Sequence, residues 1–131
     1  QQNPSSSTTT TIQKIITETF LEINASVPSR SGSGCTASTI LRLGSKIYIA
    51  NAGDSRTFLA LYTISTNAIE IVYSNRLDKP HLPEERTRIE RMGGQVYIPL
   101  ISSESSRVIV QQDASHIIGL AMSRSIGDVE A

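Results

Sequence analysis

The sequence feature that most constrains the fold is a pair of apolar segments, Thr39–Leu43 and Lys46–Ala50, separated by Gly44-Ser45. Both segments are rich in β-forming residues, and a two-residue linker that contains glycine suits a tight hairpin turn. The pattern therefore predicts an antiparallel hairpin in the middle of the chain.

A polar tetrad, Gly53-Asp54-Ser55-Arg56, follows this hairpin, and a second turn of similar type occurs at residues 123–128, SRSIGD. Aspartate oxygens can bind Mg²⁺ or Mn²⁺, and arginine can bind a phosphoryl group through two parallel hydrogen bonds. Aspartate also accepts backbone N–H groups in turns, where arginine can pair with it. The residue types fit both roles, and turns of this kind more often use them structurally.

The bulk properties restrict the class of protein. A chain of 131 residues is one domain or a piece of a larger one. Basic and acidic residues number 12 each, so no net charge favours nucleic acid or an anionic membrane as a partner. No segment approaches the roughly 18 apolar residues of a membrane helix, and no signal peptide opens the sequence. The start at Gln1 and the end at Ala131 predict an excised or incomplete sequence.

Other candidate reactive residues are few. Cys35 is the single cysteine, which excludes an internal disulfide or a cysteine-based zinc cluster and fits a reducing, cytoplasmic or nuclear location. Its apolar neighbours favour an inert core residue. His81 and His116 have no metal-ligand spacing and are expected at the surface. No serine-hydrolase elbow, Walker loop or dinucleotide fingerprint occurs.

The N-terminal region divides into a polar lead and a helix. Residues 1–11 lack aliphatic and aromatic side chains and are predicted to be a disordered lead or linker, with residues 12–131 forming the folded part. Apolar residues at helical spacing predict a helix from about Thr11 to Asn24, with Thr10 and Gln13 as a capping box.

The segments between this helix and residue 74 predict a loop and further strands. Residues 26–34, rich in serine and glycine, are interpreted as a flexible loop rather than a phosphate cradle. Thr57–Ile64 and Ala68–Ser74 flank the turn residues 65–67 and are predicted to be strands. Together with the first hairpin they predict a four-stranded antiparallel meander that is covered on at least one side.

A second helix is marked by residues at both ends. Pro83 suits the first helical position, Glu84 and Glu85 suit the positive end of the helix dipole, and Gly93 suits the left-handed residue after the end.

The spacing within this helix predicts one ion pair and one core-facing side. Glu84 and Arg88 are four residues apart, and Ile89 and Met92 are expected to face the core. Three short strands are predicted beyond the helix, at residues 95–98, 107–111 and 117–122.

Three segments in order, SGCTASTILRLGSKIYIANAGDSR, KPHLPEERTRIERMGGQV and IIGLAMSRSIGD, resemble the metal-dependent type 2C (PPM-type) protein Ser/Thr phosphatases. That family's order is a Gly-Ser-Thr-Ala strand, an Ala-Asn-Xaa-Gly-Asp-Ser-Arg strand, Asp-His-Lys-Pro, a Glu-rich helix ending Gly-Gly-Xaa-Val, and a Ser-Arg-Xaa-Xaa-Gly-Asp turn. The resemblance runs from about Ser33 to Asp128. One such motif arises easily by chance, but this ordered series does not.

The resemblance implies an α+β fold, as part of an α/β/β/α sandwich of two antiparallel sheets flanked by helices. It also implies that protein substrates bearing phosphoserine or phosphothreonine are hydrolysed by a water that bridges two Mn²⁺ or Mg²⁺ ions.

The family's metal motifs are missing from this chain. Asp-Gly-His-Gly-Gly is expected upstream of the first helix, and Asp-Gly-Xaa-Trp-Asp and Asp-Asn are expected after Asp128. The aspartate that supports a third metal falls at about Ser31, and Asp-His-Lys-Pro reads Leu77-Asp78-Lys79-Pro80. No residue of the chain is therefore expected to be catalytic or to bind metal.

The positions that match family signatures are expected to be structural and to lie near the cleft: Gly34, Thr36, Gly53, Asp54, Ser55, Arg56, Lys79, Pro80, Gly93, Gly94, Ser123, Arg124, Gly127 and Asp128. Two functions remain open. The chain is the central portion of a phosphatase and inactive in isolation, or it is a catalytically dead module that binds a protein partner or a phosphopeptide. The altered positions Ser31, Leu77 and Asp78 favour the second. Missing neighbouring strands also predict marginal stability.

Overall fold

The structure is a computed structural model that describes residues 6–28, 33–100, 105–112 and 117–128. In these ranges the helices are α1 (Ser6–Ser26) and α2 (Pro83–Arg91). The strands are β1 (Gly34–Cys35), β2 (Ala37–Leu43), β3 (Lys46–Ala52), β4 (Phe58–Thr63), β5 (Ala68–Ser74), β6 (Gln95–Tyr97), β7 (Arg107–Gln112), β8 (Ile117–Leu120) and β9 (Ile126–Gly127). The strand pairs are antiparallel, which confirms the α+β class and is consistent with part of the sandwich.

The first hairpin forms as predicted. Strands β2 and β3 pair from Ala37 opposite Ala52 to Leu43 opposite Lys46, and Gly44 has the positive φ of 60° that the turn requires. Strands β4 and β5 form a second hairpin, in which the turn residue Asn67 has a φ of 52°.

The predicted four-stranded meander is wrong, because β3 and β4 belong to separate two-stranded sheets among the described residues. The linker between them bonds elsewhere. The Gly53 carbonyl accepts from the Asp78 N–H, with an N–O distance of 3.1 Å. The Thr57 N–H donates to Asn75 Oδ1 at 2.6 Å, and the Asn75 N–H donates to the Thr57 carbonyl at 3.2 Å. The backbone of the linker between β3 and β4 is therefore bonded to residues 75–78.

Helix α1 is longer than predicted. Residues 6–11, expected to be disordered, are helical, whereas residues 1–5 lie outside the described part, and the remaining domain division stays a prediction. Thr10 lies inside the helix, so the predicted capping box is wrong. Threonine hydroxyls in α1 bond within the helix, as from Thr17 to the Gln13 carbonyl at 3.0 Å. Lys46 of β3 donates to Thr9 Oγ1 at 2.6 Å, a tertiary contact that the local pattern did not reveal.

Helix α2 confirms the predicted start and end. Pro83 is its first residue, and Gly93 has a φ of 89° just beyond its end. The Gly94 N–H donates to the Ile89 carbonyl at 3.0 Å, which satisfies a terminal carbonyl. Ile89 is buried, as predicted, but the core position expected for Met92 is wrong, because this side chain is exposed.

The apolar core of the described residues is small. Tyr48 and Ile89 are its buried large apolar side chains, while many others are exposed, including Leu61 and Ile71 of the second hairpin. A cavity of about 1160 Å³ lies between α1, β3, α2 and the segments around β7–β9; its lining includes Ile16 and Phe20. No helix in the described ranges has the length and apolar character needed to cross a membrane.

Candidate functional site

Buried charge is concentrated where two consecutive segments meet a third that is distant in sequence. These are the linker after β5, helix α2 and the turn that follows β8. We call the set Arg76, Asp78, Glu85, Arg88 and Arg124 the charged junction. Its two carboxylates are buried and its three guanidinium groups reach them from the different segments.

Glu85 is the centre of the charged junction. Only 2% of its side chain is exposed. Arg124 donates to both carboxylate oxygens, from Nη2 to Oε1 at 2.6 Å and from Nε to Oε2 at 3.1 Å. Arg88 Nη2 donates to Oε2 at 2.8 Å, and Arg76 Nη2 lies 3.4 Å from Oε1. The paired geometry with Arg124 gives this contact a fixed direction as well as charge attraction.

The ionisation of Glu85 follows from these contacts. Burial alone raises the pKa of a carboxyl group, but the hydrogen bonds from Arg124 and Arg88 outweigh it and lower the pKa of Glu85 to about 2. The carboxylate therefore stays charged at neutral pH. This charge is balanced by guanidinium groups and does not act as a base.

Asp78 connects the charged junction to the end of β3. Its Oδ1 accepts from Arg76 Nε at 3.1 Å and Nη2 at 2.7 Å, and its Oδ2 accepts from the Gly53 N–H at 3.4 Å. The hydrogen bond to Asp78 is the main reason that the pKa of Arg76 is raised. The Asp78 carbonyl accepts from the Ser123 N–H at 2.9 Å. One residue thus holds the strand end and the distant turn together.

The polar tetrad is divided between two environments. Asp54 accepts a hydrogen bond from Lys79 Nζ, which also donates to the Ala121 carbonyl at 3.3 Å. Ser55 Oγ lies 2.6 Å from Thr36 Oγ1. Arg56, in contrast, is exposed, with its guanidinium 6.0 Å from the centre of the Phe58 ring. Asp54 and Ser55 therefore link segments beside the charged junction, and Arg56 lies apart from it.

Neighbouring atoms leave no room for a side chain at the glycines near the turn. Gly53 has a φ of 110°, and a Cβ there would lie 2.4 Å from Thr36 Cγ2. A Cβ on Gly34 would lie 2.2 Å from Asp128 Oδ2. Gly127 pairs with Gly34 across β1 and β9, and its N–H donates to Asn24 Oδ1 at 2.8 Å. The turn is thus fixed against β1 and α1 where no side chain fits.

The remaining predicted positions lie in varied places. Pro80 is fully buried beside the charged junction, and Gly93 and Gly94 end α2. The core position expected for Cys35 is wrong, because the two-residue strand that carries it leaves its side chain exposed. His81 is exposed, as predicted, with Nδ1 3.0 Å from Ser106 Oγ. Ser31 and His116 lie outside the described residues.

The described residues do not fit the two divalent ions that the family resemblance implies. Within those ranges, no group of three or more His, Cys, Asp or Glu side chains is placed to hold a metal ion. The carboxylates of Asp54, Asp78 and Glu85 are each bonded to a lysine or an arginine.

Sequence reasoning missed the partners that make the charged junction. It paired Glu84 with Arg88, but Arg88 bonds to Glu85, and Glu84 accepts from Arg76 Nη1 at 2.8 Å. Asn75 links residues 55–57 to the end of β5 through hydrogen bonds, but it belongs to no motif that the sequence analysis used. One signal for the Glu85 contact was available in the sequence. Glu85 lies four residues before Ile89 and so on the same side of α2, where a buried carboxylate needs a hydrogen-bonding or charged partner.

Comparison with known proteins identifies a family for the chain. The sequence model of the family described as protein phosphatase 2C matches residues 1–131. "Probable protein phosphatase 2C 34" of Arabidopsis thaliana is 43% identical over 97 residues, 73% of this chain and 26% of the relative. "Probable protein phosphatase 2C 1" of the same plant is 41% identical over 96 residues, 73% of this chain and 20% of the relative. "Probable protein phosphatase 2C 73" of Oryza sativa subsp. japonica is 35% identical over 124 residues, 90% of this chain and 29% of the relative.

The match to the family model, with which the α+β fold is consistent, places the chain in the phosphatase class. The family match extends over the whole chain. This chain belongs to the protein phosphatase 2C family, which confirms the resemblance inferred from the motifs. It spans less than a third of the length of the relatives named above.

Proposed function

We propose that this chain is the central framework of a protein phosphatase that hydrolyses phosphoserine and phosphothreonine with the help of Mn²⁺ or Mg²⁺. The observation that carries the proposal is the convergence of three signature segments. Asp54, Lys79 and Arg124 come from different motifs, yet each is tied into the same region by the contacts around the charged junction.

In this proposal the chain holds neighbouring segments of the phosphatase in place and supplies no reacting groups. The carboxylates of Asp54, Asp78 and Glu85 are each paired with a lysine or an arginine, so they are poorly suited to bind divalent ions. Ligands for the ions come from outside these residues. The 131-residue chain is then expected to show no phosphatase activity when assayed alone, and a cytoplasmic or nuclear location remains part of the proposal.

A chimera tests the proposed function. The 131-residue chain replaces the matching segment of the rice relative, whose alignment covers 90% of the chain. We call this protein the rice chimera. We expect it to release phosphate from a phosphoserine peptide in the presence of Mn²⁺ and to lose this activity with EDTA.

Two reference proteins are needed. The unmodified rice relative is the positive control, and the 131-residue chain alone is expected to be inactive. A folded rice chimera without activity beside an active host contradicts the proposed function. EDTA-sensitive turnover by the chain alone contradicts the proposed division between framework and ion ligands.

A second candidate function is a catalytically dead module that binds a phosphopeptide or a protein partner. It is favoured by the Leu77-Asp78 pair, because Asp78 is fully engaged with Arg76 and the Gly53 N–H. Binding of a phosphoserine peptide to the folded rice chimera, without Mn²⁺ and without turnover, supports this alternative. The same peptide without phosphate is the matched control.

A further inference from the structure

We propose that Glu85 is a positioning residue for the phosphatase. It holds the turn of residues 121–128 against helix α2 and so fixes where this turn meets Gly34 and Gly53. This inference rests on the proposed function, because it assigns the charged junction a role in turnover as well as in stability.

The turn has few other attachments to α2. Arg124 reaches Glu85 with two hydrogen bonds, and Arg88, which also binds Glu85, donates to the Ser123 carbonyl at 2.6 Å. The Glu85 carboxylate therefore bonds to both of these arginines, directly holding Arg124 of the turn and orienting Arg88 towards the Ser123 carbonyl. Because Glu85 is 2% exposed, water cannot readily replace it as the acceptor.

The end of the turn at Asp128 has little room to move. A Cβ on Gly34 would overlap the Asp128 carboxylate, and a Cβ on Gly53 would lie 3.2 Å from the Arg124 carbonyl. Asp128 has a φ of 51°, an uncommon conformation for a residue with a side chain. A shift of Arg124 would be transmitted directly to these contacts, because the intervening chain is only three residues long.

Loss of the Glu85 charge leaves three guanidinium groups close together without their common acceptor. Glu85→Gln keeps the size of the side chain but removes the charge and cannot accept from Arg124 at both positions. We expect the turn to move. The family resemblance implies that this turn lies near the cleft, and a displacement of about 1 Å beside a reacting centre can reduce turnover roughly a hundredfold.

The experiment compares Glu85→Gln, Glu85→Asp and Glu90→Gln in the rice chimera, far below the unfolding temperature. Glu90 is the matched control because it lies on the same helix in an exposed pair with Arg86. We expect Glu85→Gln to lower kcat about a hundredfold with little change in KM for the phosphopeptide. Glu85→Asp should recover part of kcat, and Glu90→Gln should match the unsubstituted chimera.

Trypsin cleavage after Arg124, measured by mass spectrometry, gives a readout that needs no activity. An arginine held by Glu85 cannot enter the protease, so Glu85→Gln should raise cleavage there relative to cleavage after Arg42, and Glu90→Gln should not. Equal kcat for both variants in an active chimera overturns the inference and leaves the proposed function intact. Unchanged cleavage after Arg124 also overturns it. An inactive unsubstituted chimera counts against the proposed function instead.

Discussion

The charged junction and the β4–β5 hairpin differ in how far the rest of the chain covers their side chains. In the junction, Asp78 and Glu85 are buried and each meets its partners within the chain. In the hairpin, the backbone pairs from Phe58 to Ser74, yet the side chains of β5 are exposed along the whole strand, including Ile69, Ile71 and Tyr73. The two carboxylates of the junction find their partners within the chain, whereas the hairpin has apolar side chains that stay exposed in the described part.

This contrast shows which interactions specify the fold of this region. Apolar burial is limited to a few side chains, so the relative positions of α2, the end of β3 and the final turn depend on hydrogen-bonded charges. A buried ion pair contributes modest net stability, because desolvation opposes the charge attraction, but removing one partner is costly. Substitutions in the two regions should therefore differ sharply in effect.

The largest expected effect is that of Glu85→Gln on stability. Three arginines lose a shared buried acceptor, so the free energy of unfolding of the rice chimera should fall by about 3–5 kcal/mol. Urea unfolding monitored by circular dichroism measures the change. Glu90→Gln should cost less than about 1 kcal/mol, because its partner Arg86 is exposed. Similar losses for both variants would contradict the distinction between the junction and the surface.

Asn75→Ala tests the polar connection between the two regions. Its side chain donates to the carbonyls of Ser55 and Arg76, each at 2.9 Å, and accepts from the Thr57 N–H at 2.6 Å. Leaving these groups without partners should cost about 1–3 kcal/mol in the same urea measurement. Asn75→Asp keeps the acceptor for the Thr57 N–H but places a carboxylate oxygen against the two carbonyls, so it should cost at least as much as Asn75→Ala. A cost below about 0.5 kcal/mol would show that water replaces the amide.

Acid should weaken the junction selectively. The pKa of Glu85 is lowered from 4.5 to about 2 on folding, so its contribution is fully present above pH 4.5 and is lost as the pH falls towards 2. We expect the unfolding free energy of the rice chimera to decline over this window more steeply than that of Glu85→Gln. Parallel pH profiles for the two proteins would mean that Glu85 titrates normally.

The smallest expected effect is that of Ile71→Thr in the isolated 131-residue chain. Ile71 is exposed there, so the free energy of unfolding should change by less than about 0.5 kcal/mol. In the rice chimera, where the host can cover this face, the same substitution should cost about 1–3 kcal/mol. Equal small costs in both proteins would indicate that the hairpin face stays open in the complete domain.

Local signals predicted the elements well, because hairpin turns and helix ends are encoded by nearby residues. Gly44-Ser45 marked the first turn, and Pro83 and Gly93 marked the ends of α2. Position 124 was noticed as part of a turn motif, but its partner lies 39 residues away. Long-range ion pairs leave no periodic pattern, so their partners could not be assigned from the sequence.

Two failed predictions, the disordered lead and the four-stranded meander, have the same physical origin. Ser6–Thr11 has the composition of a disordered segment, yet it is helical and Thr9 meets Lys46 of β3. The four-stranded meander followed from strand order, but the Gly53 and Thr57 backbone groups bond to residues 75–78. In each case tertiary contacts outweighed local preference.

The most direct test of the charged junction is a double-mutant cycle between Glu85 and Arg124 in the rice chimera. Glu85→Gln, Arg124→Gln and the double variant are compared by urea unfolding. The account predicts a coupling free energy of about 1–3 kcal/mol, against about 0.5 kcal/mol or less for the same cycle at Arg86 and Glu90. A coupling at Glu85 and Arg124 no larger than at the exposed pair would contradict the claim that this contact joins α2 to the turn.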